Sequence, residues 1–207
     1  MIGLTTEGPL WTITLNRPDK AGALTRAMLA ELLRIAGDAR GKAQAVILTG
    51  TGPVFSAGAD LAELPGIATD PLWNQLSTAL ATLPCLTIAA LNGTLAGGAF
   101  GMALACDLRL ATAGAKFFYP VMRLGVLPQP GDPARLAALI GPARAKLLLM
   151  AGHKASATEA LDLGLIDRIA APDSLLAEAR SLTADACAAA PAHLGAIKAM
   201  LAQPMPA

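Results

Sequence analysis

From Pro71 to Cys106 the chain carries no Asp, Glu, Lys or Arg. A stretch this long without charge has to be buried, in protein or in lipid. Lipid is a poor fit, because Asn74, Gln75, Pro84 and the turn pair Asn92-Gly93 cut the run into pieces shorter than the ~20 apolar residues of a spanning helix. The stretch instead reads as a helix ending at "ALATLP", a strand in "CLTIAALNG", a turn, and a second helix opened by "AGGAFGMALAC". That second helix starts on Gly97, Gly98 and Gly101, each costing roughly 0.5–1 kcal/mol of helix stability relative to Ala. Something must require the backbone to be bare there.

The whole chain has 207 residues, 54% of them hydrophobic and 15% charged, enough to bury a sizeable core as one domain or as a domain with a small helical appendage. A net charge of +1 and seven scattered aromatics give no basic stripe with stacking residues, so nucleic acid is not an expected partner. Cys85, Cys106 and Cys187 lack CxxC spacing and sit in apolar runs, which predicts reduced thiols packed in the core of a cytoplasmic protein. His153 and His193 have no cysteine or carboxylate at ligand spacing, so no metal site is expected, and His153 in "AGHKAS" reads as part of a surface turn. "MIGLTTEG" has no charged start followed by an apolar run, so a signal peptide is not expected.

Along the chain, "LWTITLN" alternates and reads as a strand following a shorter one near the N-terminus. "TRAMLAELLRIAGDA" puts Met28, Leu29, Leu32, Leu33 and Ile35 on one helical face behind a Thr25 cap. "AVILTG" is a buried strand feeding a loop rich in Gly and Pro, and the order strand, loop, helix then returns. "DLRLATAGAKFFYP" reads as two short strands around a glycine turn. Helical patterns follow in "DPARLAALIG" and "PARAKLLLMAG", both with Pro at the helix start, and in "ATEALDLGLIDRI". "SLLAEARSLTADACAA" and "AHLGAIKAMLA" each read as one further amphipathic helix. The fold class is α/β, becoming mainly helical toward the C-terminus.

Two loops at corresponding places carry the unusual residues: "GPVFSAGADL", Gly52 to Leu61, and "NGTLAGGAFG", Asn92 to Gly101. Each follows a buried strand and precedes a helix, which leaves backbone N–H groups without partners at a helix start. One donor from each loop could hold a single oxygen on which charge grows during a reaction. Tight turns and close helix packing are an equally ordinary use of glycine, and spacing alone leaves both readings open.

Taken together, "NRPDKAGALTRAML", "VFSAGADLAEL", "AALNGTLAGGAFGMALACDLRLAT" and "MAGHKASATEALDLGLIDRI" resemble the enoyl-CoA hydratase/isomerase (crotonase) family, in order and across nearly the whole chain. The resemblance implies a spiral of ββα units over residues 1–131, carrying the coenzyme A and oxyanion loops. It also implies a helical C-terminal region, 132–207, shorter than the family's usual one, and assembly as trimers or paired trimers. It implies an acyl-CoA thioester as substrate, with no permanently bound cofactor. The thioester carbonyl would lie between the N–H groups of Ala59 and Gly98, and Lys20, Ala21, Ala57, Asp60 and Leu61 would contact coenzyme A. Gly22 stands where the family commonly has Asn.

The two glutamates that hold and activate water in hydratases of that family fall on Gly101 and Val121 here. Neither can transfer a proton, so hydration is not expected. Asp132 is the remaining catalytic candidate, although Asp followed by Pro also reads as an ordinary helix cap. Tyr119 and Arg123 flank the second lost glutamate, Gln129 lies nearby without being a base, and Glu63 reads as a solvated surface carboxylate. The expectation is an enzyme with an atypical acid or base, or else a non-catalytic acyl-CoA binding or assembly subunit.

Overall fold

The computed structural model describes residues 1–201. Two strands open the chain, β1 (Ile2–Glu7) and β2 (Leu10–Leu15), followed by α1 (Arg26–Ala39), β3 (Ala45–Gly50), β4 (Val54–Ser56) and α2 (Leu72–Ala81). Next come β5 (Leu86–Leu91), β6 (Thr94–Ala96), α3 (Phe100–Ala105), β7 (Leu108–Thr112) and β8 (Lys116–Phe118). The remainder is α4 (Val121–Leu124), α5 (Asp132–Ile140), α6 (Pro142–Leu149), β9 (Ala155–Ser156), α7 (Ala157–Leu163), β10 (Arg168–Ala170), α8 (Leu175–Leu182), α9 (Ala184–Ala188) and α10 (Pro191–Leu201).

The strands sort into two sheets by a simple rule. The opening hairpin β1-β2 lies wholly in a six-stranded sheet ordered β1-β2-β3-β5-β7-β10; in the three strand pairs that follow, β3/β4, β5/β6 and β7/β8, the first strand joins that sheet and the second joins a four-stranded sheet ordered β4-β6-β8-β9. Each of these later ββα units adds one strand to each sheet and then a helix, which is the expected spiral. β2, β3, β5 and β7 run parallel to one another, and the first five residues of β3 are buried, as a parallel strand covered on both faces requires. α1 forms where expected: the Thr25 hydroxyl accepts from the Met28 N–H at 3.2 Å, and Met28, Leu29, Leu32, Ile35, Ala36 and Ala39 face the core. Leu33 is only half-buried.

Several local expectations need correction. β1 is not shorter than β2, since each has six residues and the two pair along their full length. The glycine-rich loops contain short strands, β4 and β6, which local patterning read as loop. The segment after Ser174 bends at Thr183 into α8 and α9, and α10 buries no residue. α10 is instead tethered by Lys198, whose ammonium donates to Cys85 O at 2.9 Å and to Asp107 Oδ2 at 2.8 Å. Residues 202–207 of the expected helical region lie outside the described residues. Cys85 and Cys106 are buried, with burial pushing their thiols up to about 11 and about 12, whereas Cys187 is half-buried. Among the described residues no helix is long and apolar enough to cross a membrane.

The fold places the glycine loops by backbone contact. A Cβ on Gly93 would lie 2.0 Å from Pro53 O and 2.6 Å from Pro53 C, so the β5–β6 turn rests on the backbone that leads into β4. Gly93→Ala is expected to lower unfolding stability by about 3 kcal/mol or more, because two backbones would have to separate. Gly114→Ala, where a Cβ meets nothing within 4 Å, is expected to stay within about 0.5 kcal/mol of the parent. Paired denaturant melts check both; equal midpoints for the two variants would contradict the packing described.

Candidate active site

The two glycine loops meet. A Cβ on Gly58 would lie 3.0 Å from Ala96 O and 3.2 Å from Gly98 N, and one on Gly97 would lie 3.4 Å from Ala57 O. Gly58 and Gly97 also have positive φ, 95° and 58°, which side chains disfavour. The bare backbone therefore serves two needs at once, chain direction and close approach. Gly98 packs on Trp73, whose indole would be 3.4 Å from a Cβ there. The indole is itself fixed by donating from Nε1 to Ile67 O at 2.8 Å.

Ala59 N–H has no acceptor among the described residues, because the neighbouring Gly58 O and Asp60 N take the pairings with Leu24 at 2.8 and 2.9 Å. Gly98 is the second residue of a short 3-10 stretch, Gly97–Ala99, so its N–H precedes the first intrahelical bond. Both residues line one cavity of about 270 Å³, together with Ala57, Trp73, Tyr119, Val121 and Gln129. Phe100 and Met102 are buried in the core and do not enter it. Leu61, Leu64, Leu124, Val126 and Leu127 form an exposed apolar rim.

The positions expected for coenzyme A lie along the adjoining loops. Lys20 and Ala57 are exposed, Ala21 is half-buried in a left-handed conformation, and Leu61 is 80% exposed. Asp60 has other duties: its carboxylate accepts from Ala62 N–H at 2.9 Å and pairs with Arg17 at 2.5 Å. Those bonds, the Ala62 one foremost, hold its carboxyl below the usual range. Arg17 also donates to Ala23 O at 2.9 Å, joining the two loops; nothing in its local pattern singled it out. At Gly22 a Cβ would lie 2.4 Å from Phe55 O, so Asn could not replace it without moving the chain. Glu63, although exposed, accepts from the Arg26 N–H at 2.7 Å and so caps α1 rather than standing free.

Asp132 departs most from expectation. It is not a helix cap: Gly131 occupies that position, no side-chain cap bond forms, and Asp132 is the first residue of α5. Its carboxylate turns inward, is 1% exposed, and accepts from the Tyr119 hydroxyl at 3.0 Å through Oδ2. Oδ1 has no partner and lies 2.7 Å from where a Cβ on Gly101 would be. The missing side chain at 101 is thus the space that Asp132 fills. Asp132 does not line the cavity itself; Tyr119 stands between. Val121 is an apolar wall, and Arg123 lines a neighbouring hollow of about 240 Å³ with Lys154. His153 bonds Glu159 at 3.0 Å in a surface turn, and the described residues hold no group of three ligands for a metal.

Comparison with known proteins gives the family. The profile of the enoyl-CoA hydratase/isomerase family matches residues 5–206. The chain is 40% identical over 181 residues to YngF of Bacillus subtilis, covering 83% of this chain and 70% of that protein. It is 35% identical over 185 residues to the short-chain-enoyl-CoA hydratase of Clostridium acetobutylicum, covering 85% and 71%. A Thermobifida fusca protein solved in complex with CoA superimposes with a TM-score of 0.89 at 29% identity, over 99% of this chain and 86% of that one. The fold is that of a spiral-wound α/β protein with two abutting glycine loops. The chain belongs to the enoyl-CoA hydratase/isomerase family.

Burial raises the Asp132 carboxyl to about 6, against the smaller lowering effects of the Tyr119 hydroxyl and Arg135. A raised carboxyl favours the folded state when protonated, so that stability is full below the unfolded value near 4 and is lost as pH rises through about 6. Relative to the parent, Asp132→Asn is expected to gain about 3 kcal/mol of unfolding stability between pH 4 and pH 7. Denaturant melts across that range check it, and a difference that does not vary with pH would refute the burial argument.

Proposed function

We propose that this protein acts on an acyl-CoA thioester whose carbonyl oxygen is held between the N–H groups of Ala59 and Gly98. The observation that carries this reading is the shared cavity. Ala59 and Gly98, one from each glycine loop and each with a backbone N–H without a partner among the described residues, line a space of about 270 Å³ with an apolar rim. Donors fixed in place stabilise an enolate or tetrahedral oxyanion without reorganising as charge develops. The kinship with a protein solved in complex with CoA supports the same ligand class. Lys20 on its exposed turn supplies a positive charge for a phosphate, while Ala21, Ala57 and Leu61 offer contacts along the pantetheine. Asp60 shapes that path through its pairing with Arg17.

Gly101 and Val121 leave no carboxylate at the two positions that hydration needs, so the reaction is an isomerisation, a decarboxylation or a thioester hydrolysis through a stabilised oxyanion. Loss of carbon dioxide generates an enolate without a base, which suits a site poor in carboxylates. The protein assembles as a trimer or paired trimers and works in the cytoplasm.

Calorimetric titration with enoyl-, malonyl- and aroyl-CoA esters, followed by turnover assays on the same panel, tests this. At least one ester is expected to bind more tightly than free CoA and to be converted. Binding with no turnover of any ester would favour a non-catalytic acyl-CoA binding or assembly subunit, and no binding would overturn the reading. Ala68→Trp, which places an indole in the cavity without altering either amide, is expected to weaken the preferred ester about tenfold or more. An unchanged affinity would move the acyl group elsewhere.

A further inference from the structure

Tyr119 is the only ionisable side chain among the described residues that line the cavity shared by Ala59 and Gly98. Its ring is held by stacking on Phe100, centroid to centroid 5.4 Å, and is 5% exposed. Its hydroxyl donates to Asp132 Oδ2 at 3.0 Å and accepts from the Gln129 N–H at 3.2 Å. A phenol oxygen has one proton and two lone pairs, so one lone pair is left over on the hydroxyl of a residue that lines the cavity. Behind it, Asp132 is buried with Oδ1 unpartnered. A purely structural carboxylate so deeply buried would be expected to have both oxygens satisfied.

We propose that Tyr119 is the group that exchanges protons with the substrate, and that Asp132, seated in the space left by Gly101, is the positioning residue that takes and returns the proton through it. This rests on the acyl-CoA reading of the cavity. In one direction a Cα–H bond of the thioester breaks, and its proton goes to the free lone pair of Tyr119 Oη. The phenol's own proton moves in the same step to Asp132 Oδ2. The electron pair left by the C–H bond spreads onto the thioester oxygen between Ala59 and Gly98. Carbon has lost one proton, one carboxylate has been neutralised, and no oxidant or reductant is consumed. Returning a proton to the same carbon, or to a conjugated one, runs the steps backwards and gives exchange or isomerisation.

The coupling explains how a phenol can serve here. Burial and the adjacent Asp132 push the Tyr119 hydroxyl well above its ordinary value, so a free phenolate is disfavoured. Relay to the carboxylate avoids it. Arg135, on the same helix, is the remaining charged group that acts on Asp132, and it favours the ionised form. The helices α2 and α3 bring no ionisable side chain to the site.

The test follows α-hydrogen exchange of butanoyl-CoA in deuterium oxide by NMR, with calorimetric binding measured in parallel. The parent is expected to exchange at a rate that rises between about pH 5 and pH 7, as Asp132 ionises. Tyr119→Phe and Asp132→Asn are each expected to bind the ester within about threefold of the parent and to exchange about 100-fold more slowly. Asp132→Asn should also lose the pH rise, which a merely structural role would leave in place. Gly101→Ala, which crowds Oδ1, should slow exchange while leaving binding intact. Unchanged exchange in Tyr119→Phe, a persisting pH rise in Asp132→Asn, or binding by the parent with no exchange would overturn the relay alone. Failure of the parent to bind the ester would overturn the acyl-CoA reading and the relay with it.

Discussion

The site depends on one contact, the approach of the Gly58 backbone to Ala96 and Gly98. Nothing larger than hydrogen fits on Gly58 without pushing against a carbonyl oxygen and an amide nitrogen of the other loop. Because β3 and β5 are parallel neighbours, and β4 and β6 are too, the two loops leave the sheets side by side. The sheets bring them close, and the glycines let them touch. Ala59 and Gly98 face one cavity for that reason, rather than through any side-chain interaction. The helix-destabilising residues at the head of α3 are the local cost of this arrangement, offset by the burial of Phe100, Met102, Ala103 and Leu104.

Around that contact the protein uses charges sparingly and buries few of them. Arg109, 4% exposed, donates to Leu165 O, Cys106 O and Asp107 O and pairs with Asp167 at 3.4 Å, so it ties β7 to the segment that enters β10. Asp107 in turn accepts from both the backbone N–H and the hydroxyl of Thr87 and from Lys198. No buried polar atom of these two side chains lacks a partner. Asp132 is different, since one of its two oxygens is left without a partner, and it is the buried carboxylate adjacent to the cavity wall.

Much of this was legible in the residues alone. Periodicity located α1 with its Thr25 cap, alternation located β2, and the charge-free run Pro71 to Cys106 gave α2, β5 and α3, though not β6. The glycine loops announced themselves by composition. What local reading missed depends on distance in sequence. Asp132-Pro133 looks like a helix start in any chain; only the void at Gly101 and the hydroxyl of Tyr119, brought in from other elements, draw the carboxylate inward. Arg17 and Trp73 were invisible for the same reason, since their value lies in joining or supporting loops far away in the chain. The split at Thr183 and the unburied face of α10 escaped because apolar periodicity records which residues could face a core, not whether a core is there to receive them.

The exchange between Gly101 and Asp132 has a wider meaning. A pocket presents its substrate with oxygens and protons at points in space, and is indifferent to which stretch of chain delivers them. When one helix gives up its acid, a neighbouring helix can push a carboxylate into the vacated volume, with an aromatic hydroxyl handing protons across the remaining gap. Position-by-position comparison would score this protein as lacking a carboxylate there, whereas one from a neighbouring helix fills the same space.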